Sequence, residues 1–178
     1  MLHSLLLVNN TKISDIYGGE QMRLPNGITG FFDSADNQLS PMDERQFKQL
    51  CYSIVNYNGG TLNEWRDPAY PTSFYHAHIS FNNEELHILL NKYYPLLAFA
   101  SSVEYESIEF IDLPHLVETF SSFYKVLHTS ELNQPIIIKN HFKHDFLQND
   151  HDLTFAELEQ IKYWKPNIVG EIIFNYWD

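Results

Sequence analysis

The chain has 178 residues, of which 44% are hydrophobic and 19% charged, a balance that excludes a disordered or fibrous protein and predicts one globular domain over residues 1–178. Its formal net charge of −12 disfavours binding to nucleic acid, whose phosphates are neutralised by Lys and Arg. We expect no membrane span, because no apolar run approaches the roughly 18 residues that a spanning helix needs. A disulfide framework is also excluded, because Cys51 is the single cysteine.

The first predicted element is a short buried strand at 2–8, followed by a strand or loop at 12–17. The start lacks the basic region and cleavage site of a signal peptide, so we expect a cytoplasmic protein. Residues 28–32 are predicted as a short strand between turns. A helix capped by Ser40 is expected to end at the Gly-containing turn 58–60. Its apolar stripe consists of Phe47, Leu50, Cys51 and Ile54.

The middle of the chain is predicted to form a long connection at 61–71 and then a strand at 72–81. The strict alternation of that strand indicates that one of its faces is exposed. Residues 84–93 are predicted as a helix that is capped by Asn82 or Asn83 and stopped by Pro95. Further predicted elements are strands at 96–101, 107–111 and 124–128 and a helix at 112–120.

The last third begins with a β-branched run at 136–138 and an irregular or briefly helical segment at 141–152. Thr154 and Glu157 have the spacing of a capping box, which predicts a helix start. That helix should turn Phe155, Leu158 and Ile161 inward. Together the elements predict an α+β fold, with a mixed or mainly antiparallel sheet and several packed helices.

The tail at 163–178 contains two of the three Trp, two Tyr and a Phe, which predicts a buried segment rather than a frayed end. Its pattern fits two structures. In a strand, one face would carry Ile168, Ile172, Phe174 and Tyr176. In a helix, one face would carry Val169, Ile172, Ile173 and Tyr176. We favour the helix, because the helical pattern continues to Trp177.

His76 and His78 flank one residue of a predicted strand, so their side chains point the same way. Such a pair could bind zinc together with His87 or a carboxylate, and His141 with His144 could form a second half-site. The alternative is that these are hydrogen-bonded or solvent-facing histidines. We favour this alternative, because the chain has no second cysteine and no His-Glu-x-x-His motif. No metal and no cofactor are therefore predicted.

Catalytic motifs are equally weak. The sequence has no Gly-x-Ser-x-Gly elbow and no glycine-rich phosphate loop, and Cys51 falls in the middle of a predicted helix, where a thiol is not activated. The carboxylates of Glu104, Glu106 and Glu109 could in principle act as a glycosidase pair. They fit a solvated acidic edge better, and the chain is predicted not to be an enzyme.

The remaining signal is an acidic surface. Between Asp67 and Tyr124 the sequence has eight acidic residues and one basic residue, Lys92. Carboxylates that alternate with an aromatic side chain suit contact with an Arg- and Lys-rich partner. The predicted contact residues are Glu104, Tyr105, Glu106, Glu109 and Asp112. The alternative is a charged strand edge that only prevents aggregation.

The tail, from Tyr163-Trp164-Lys165-Pro166 to Asn175-Tyr176-Trp177-Asp178, resembles the ending of bacterial immunity proteins of contact-dependent growth inhibition and polymorphic toxin systems. The resemblance covers about the last sixteen residues. It implies a cytoplasmic inhibitor, without catalysis of its own, that binds the C-terminal domain of a cognate toxin, often a nuclease, and occludes its active site. It transfers no contact residues.

The expected partner is a basic toxin domain, since a nuclease site must hold phosphate. A monomer or a weak homodimer is expected, with no binding to nucleic acid or membrane. Two other hypotheses remain open at this point: a small metal-dependent enzyme that uses His76 and His78, and a non-enzymatic adaptor or assembly protein.

Overall fold

A computed structural model describes residues 22–34, 38–69, 71–105, 107–141 and 144–178. The strand predicted at 2–8 and the segment at 12–17 lie outside these residues. The fold is α+β, as predicted, and its centre is a mixed, mainly antiparallel sheet of six strands. The strands are β1 (Thr61–Arg66), β2 (Phe74–Phe81), β3 (Glu84–Asn91), β4 (Leu96–Val103), β5 (Ile108–Ile111) and β6 (Lys125–Val126).

Strands β1 to β5 form an antiparallel meander in which each strand pairs with the next. The short β6 pairs in parallel with the start of β4. A separate two-stranded sheet consists of β7 (Ile138–His141) and β8 (His144–Leu147). The helices are α1 (Glu44–Tyr57), α2 (Pro114–Phe120), α3 (Thr129–Leu132), α4 (Phe155–Trp164) and α5 (Val169–Ile173). In the part of the chain that the structure describes, no helix has the length and apolar character to cross a membrane.

The large sheet is covered on both faces, which gives the protein two hydrophobic clusters. One cluster joins α1 and α2 to the sheet through side chains such as Phe47, Ile79 and Phe120. The other joins the opposite face to the C-terminal third through Phe74, Phe110 and many others. Because of this double cover, six of the eight residues of β2 are buried, so the prediction of an exposed face was wrong.

The predicted helix at 84–93 is the strand β3. Asn82 and Asn83 have φ angles of 52° and 65°, and Phe81 pairs with Glu84 across them. This is the geometry of a two-residue hairpin turn with positive φ at both central positions, which Asn tolerates better than most residues. The spacing of the apolar residues fitted a helix as well as a strand, and the turn decides between the two.

The first half of the chain contains three further differences from the predictions. Residues 61–66 form β1 rather than a connection, and Trp65 packs against Phe47 with ring centroids 5.4 Å apart. Residues 28–32 form the end of a turn, a bend and irregular chain, and not a strand. The cap of α1 is Asp43, whose carboxylate accepts from the Gln46 amide at 3.0 Å, rather than Ser40. The predicted helix end is confirmed, with Gly59 at a φ of 82°.

The second half also differs from the predictions. Residues 144–147, expected to be irregular or helical, form β8. The capping box of α4 is confirmed, but Phe155 is 72% exposed rather than inward-facing. Ile161 is buried, as predicted.

The tail is core, as predicted, and its structure is part helix and part extended chain. Helix α5 ends at Ile173, and Phe174 already has extended dihedrals. The extended part is fixed to the start of β2, because the Ser73 amide donates to the Asn175 carbonyl at 3.0 Å and the Asn175 amide donates to the Ser73 hydroxyl at 2.9 Å. The helix prediction is thus correct for 169–173 and wrong beyond it.

Two buried asparagines connect the tail to the rest of the core. The Asn91 side chain donates to the carbonyls of Ile28 and Ile173 at 3.0 and 2.7 Å. The Asn175 side chain donates to the carbonyls of Thr29 and Ile172 at 3.1 and 2.9 Å. Buried amides satisfied in this way hold one backbone arrangement, because every alternative leaves polar groups unpaired. The residues after α5 therefore have a fixed position on the sheet.

Candidate protein-binding surface

The turn between β4 and β5 carries two of the predicted contact residues, Glu104 and Tyr105. The Glu104 amide donates to the Ser107 carbonyl at 2.9 Å, which closes the turn. Both side chains are exposed, and Tyr105 is 58% accessible to solvent. An exposed tyrosine beside a carboxylate is available for contact with another molecule.

Tyr105 packs on Tyr176 of the tail, with ring centroids 5.6 Å apart and planes inclined by 31°. Tyr176 directly follows the buried Asn175, so its backbone is held by the hydrogen bonds that fix the tail. Its ring also packs on Phe74, with centroids 5.1 Å apart. A pocket of about 300 Å³ opens beside this ring pair. Its lining includes Glu104, Tyr105, Trp164, Lys165, Glu171 and Tyr176.

The other predicted contact residues are placed differently. Glu109 is exposed on β5, where its carboxylate accepts from the Ser101 hydroxyl at 3.2 Å. Asp112 is engaged at the start of α3, where it accepts from the Thr129 amide and hydroxyl at 3.0 and 2.7 Å and lies 3.4 Å from His128. Glu106 lies outside the described residues. The structure thus brings Glu104 and Tyr105 into one site and assigns Asp112 a structural role.

The pKa of Asp112 agrees with that role. Partial burial alone would raise the pKa of this carboxyl, but the hydrogen bonds from Thr129 and the charge of His128 lower it below its ordinary value. The carboxylate is therefore ionised and already satisfied by its own chain.

A second pocket, of about 430 Å³, lies next to the first and shares Glu104 with it. Three histidines line it. The Nε2 atom of His76 lies 2.8 Å from Nδ1 of His87, and the His78 ring stacks on the His87 ring with centroids 4.9 Å apart. The structure thus brings together His76, His78 and His87, as the sequence suggested.

These histidines are engaged with protein groups rather than arranged around a metal. His76 shares a hydrogen bond with His87, and Nε2 of His78 lies 2.8 Å from the Glu85 carboxylate. Among the described residues, no group of three or more His, Cys, Asp and Glu has an arrangement that could hold a metal ion. His141 and His144 pair across β7 and β8, and their side chains lie outside the described part of the chain.

Burial controls the charge of this cluster. It lowers the pKa of His76 to about 4, and the neighbouring His87 and Arg66 act in the same direction. Burial also lowers the pKa of His87, with His78 and Arg66 contributing. Both rings are therefore neutral near pH 7.

Arg66 lines the second pocket. Its guanidinium makes two hydrogen bonds to Glu64, at 2.9 and 3.0 Å. The Glu64 carboxylate raises the pKa of Arg66, and Tyr176 and Glu104 add to the effect. The sequence does not point to this residue, because it predicts a connection at 61–71. The strand pairing that places Arg66 opposite His76 is seen only in the structure.

Cys51 is not part of any site. Its side chain is fully buried in the cluster beneath α1, and burial raises the pKa of the thiol far above its ordinary value. A thiol in this environment is a small apolar side chain rather than a nucleophile.

Comparison with known proteins identified no relative of this chain. A scan of protein-family models found no match, and searches of curated proteins and of solved structures found none either.

Proposed function

We propose that the chain is a binding protein, without catalysis, that neutralises a cognate bacterial toxin domain by covering its active site, as the immunity proteins do whose ending its tail resembles. The observation that carries the proposal is the exposed Glu104–Tyr105 turn, which lies beside an aromatic pocket on a chain of net charge −12. The toxin domain is basic and nuclease-like, and the complex forms in the cytoplasm.

Charge supports this choice of partner. A basic domain is steered towards an acidic surface, which raises the association rate. Glu104 and Glu109 are exposed along the β4–β5 hairpin, where their charges face solvent rather than the core. A nuclease site must be basic to hold phosphate, so the same complementarity would direct the chain to the toxin's active site.

The rigidity of the surface supports a binding role as well. Tyr176 is held in place by the hydrogen bonds of Asn175, and Tyr105 rests on it. Aromatic anchors that are fixed before binding lose little entropy on association, and such residues often dominate the affinity of an interface.

The test is a co-purification. The chain is expressed with the product of the neighbouring reading frame, one of the two carrying a tag, and the partner is released with denaturant, refolded and assayed for nuclease activity. The proposal predicts a stable complex and an activity that the added chain suppresses. A partner that remains fully active in the presence of excess chain would contradict it.

A further inference from the structure

The geometry points to the pocket beside Tyr105 and Tyr176 as an acceptor for a single arginine side chain of the partner protein. This inference rests on the proposed function and specifies how the partner is recognised. The pocket volume of about 300 Å³ lies at the lower end of the range of about 300–1,000 Å³ for small-molecule sites. A side chain fits such a space better than a cofactor does.

The aromatic lining suits a guanidinium. The rings of Tyr105 and Tyr176 are 5.6 Å apart, and Trp164 lines the same pocket. A guanidinium is flat and weakly hydrated, so it stacks on aromatic rings and tolerates partial desolvation better than an ammonium does. The aromatic rings of the lining therefore favour Arg over Lys.

The charges of the pocket also favour a cation. The charged side chains of its lining are the carboxylates of Glu104 and Glu171 and the ammonium of Lys165. One Glu171 oxygen accepts from the Asn167 amide at 2.6 Å, which orients the carboxylate. Glu104, the other carboxylate of the lining, is exposed to solvent.

Arg66, which lines the neighbouring pocket, is a second cation in this corner of the molecule. Its guanidinium is paired with Glu64 through two hydrogen bonds, so it repels a partner's guanidinium less than an unpaired arginine would.

The inference is tested on the isolated chain by NMR titration with Nα-acetyl-arginine methylamide as the probe. The citrulline analogue, which has the same shape without the charge, is the matched control, and the lysine analogue tests the preference for a guanidinium. We expect saturable shifts at Glu104, Tyr105, Tyr176 and 164–167. The citrulline analogue should bind at least about fivefold more weakly.

Variants locate the binding. Tyr105→Ala, at an exposed position, should weaken the arginine probe about fivefold, whereas Tyr105→Phe should retain it. Phe123→Ala removes another exposed ring, 51% accessible, and should have no effect. The inference would be overturned if the citrulline or lysine analogue bound as tightly as the arginine probe. It would also be overturned if the shifts were scattered over other carboxylates, or if Tyr105→Ala bound the arginine probe with unchanged affinity.

The outcome is separable from that of the co-purification. A chain that binds the arginine probe but no toxin domain would refute the proposed function and leave the pocket assignment intact. A chain that forms the toxin complex but does not bind the probe would retain the function and refute the pocket.

Discussion

The carboxylate of Glu157, in the first turn of α4, accepts three hydrogen bonds from a segment about 130 residues earlier in the chain: from the Gly27 amide at 2.9 Å, and from the Thr29 amide and hydroxyl at 3.2 and 2.8 Å. It also accepts from the Thr154 amide at 2.9 Å, which completes the capping box. The side chain is fully buried. A helix cap thus also holds the turn that precedes α1.

Glu157→Gln should therefore destabilise the protein by about 2–4 kcal/mol, because the amide removes the charge and turns an NH₂ group towards N–H donors. Urea denaturation measures the effect. The control is Glu159→Gln on the exposed side of the same helix, where the ion pair with Lys162 contributes no more than about 1 kcal/mol. Similar losses in the two variants would show that the network around Glu157 adds little.

Gly170 in α5 lies against the ring of Phe110. A Cβ atom at this position would lie 2.8 Å from Cζ of Phe110 and closer still to Cε2. Gly170→Ala should destabilise the fold by about 1–3 kcal/mol, although Ala is the better helix former by about 1 kcal/mol. Adding Phe110→Leu should reduce the penalty in a double-mutant cycle. A stabilised Gly170→Ala variant would mean that the ring moves aside freely.

The free energy of unfolding should decrease as the pH is lowered, because the buried His76 resists protonation in the folded state. The folded-state pKa of His76 is about 4, below the value near 6.5 of an unfolded histidine, so the unfolded chain binds more protons between these limits. The stability from keeping His76 neutral is complete above pH 6.5 and is lost as the pH falls towards 4. We expect a loss of roughly 1–2 kcal/mol between pH 7 and pH 5.

Urea denaturation at the two pH values tests this expectation. His76→Gln should flatten the pH dependence, whereas His115→Gln, at an exposed position on α2, should leave it unchanged. The same pH dependence in His76→Gln as in the parent chain would assign the effect to other groups.

The β2–β3 turn offers a test of backbone geometry. Asn83 has a φ of 65°, so Asn83→Gly should be neutral or stabilise the hairpin by up to about 1 kcal/mol. Asn83→Val should destabilise it by at least about 1–2 kcal/mol, because a β-branched residue resists this conformation. Thermal unfolding distinguishes the two variants. Equal melting temperatures would contradict a turn with positive φ at Asn83.

Charge reversal tests the acidic surface once a partner is in hand. Glu104→Lys and Glu109→Lys should each slow association about three- to tenfold at low ionic strength, and the difference should shrink at high salt. Stopped-flow kinetics measure the rates. Glu118→Lys on α2, which packs on the opposite face of the sheet, makes the same change in net charge and should have a smaller effect. Equal effects at the three positions would indicate that only the overall charge matters.

Local chemistry made part of this structure predictable. The Gly-containing end of α1 and the capping box of α4 depend on neighbouring residues, and both were recognised. The strand at 84–91 is not predictable in this way, because its apolar residues fit the period of a helix as well as that of a strand. Only the pairing of β3 with β2 and β4 selects the strand. Tertiary contacts decide such cases.

The candidate site likewise has one part that is predictable from local sequence and another that depends on tertiary contacts. The exposure of Glu104 and Tyr105 followed from the polar pattern around them. The roles of Arg66, Trp164 and Tyr176 could not be predicted, since they approach the turn only through strand register and the docking of the tail. Surfaces built from distant segments are not visible in a linear pattern.

The docking of the tail also implies an order of folding. The meander β1–β5 joins strands that follow one another, so its contacts close short loops at a small entropic cost. Asn175 instead bonds to Ser73 and Thr29, across separations of 102 and 146 residues. We expect the meander to form first and the C-terminal segment to close over it last. During synthesis, one face of the sheet would then stay uncovered until the segment that contains Asn175 has left the ribosome.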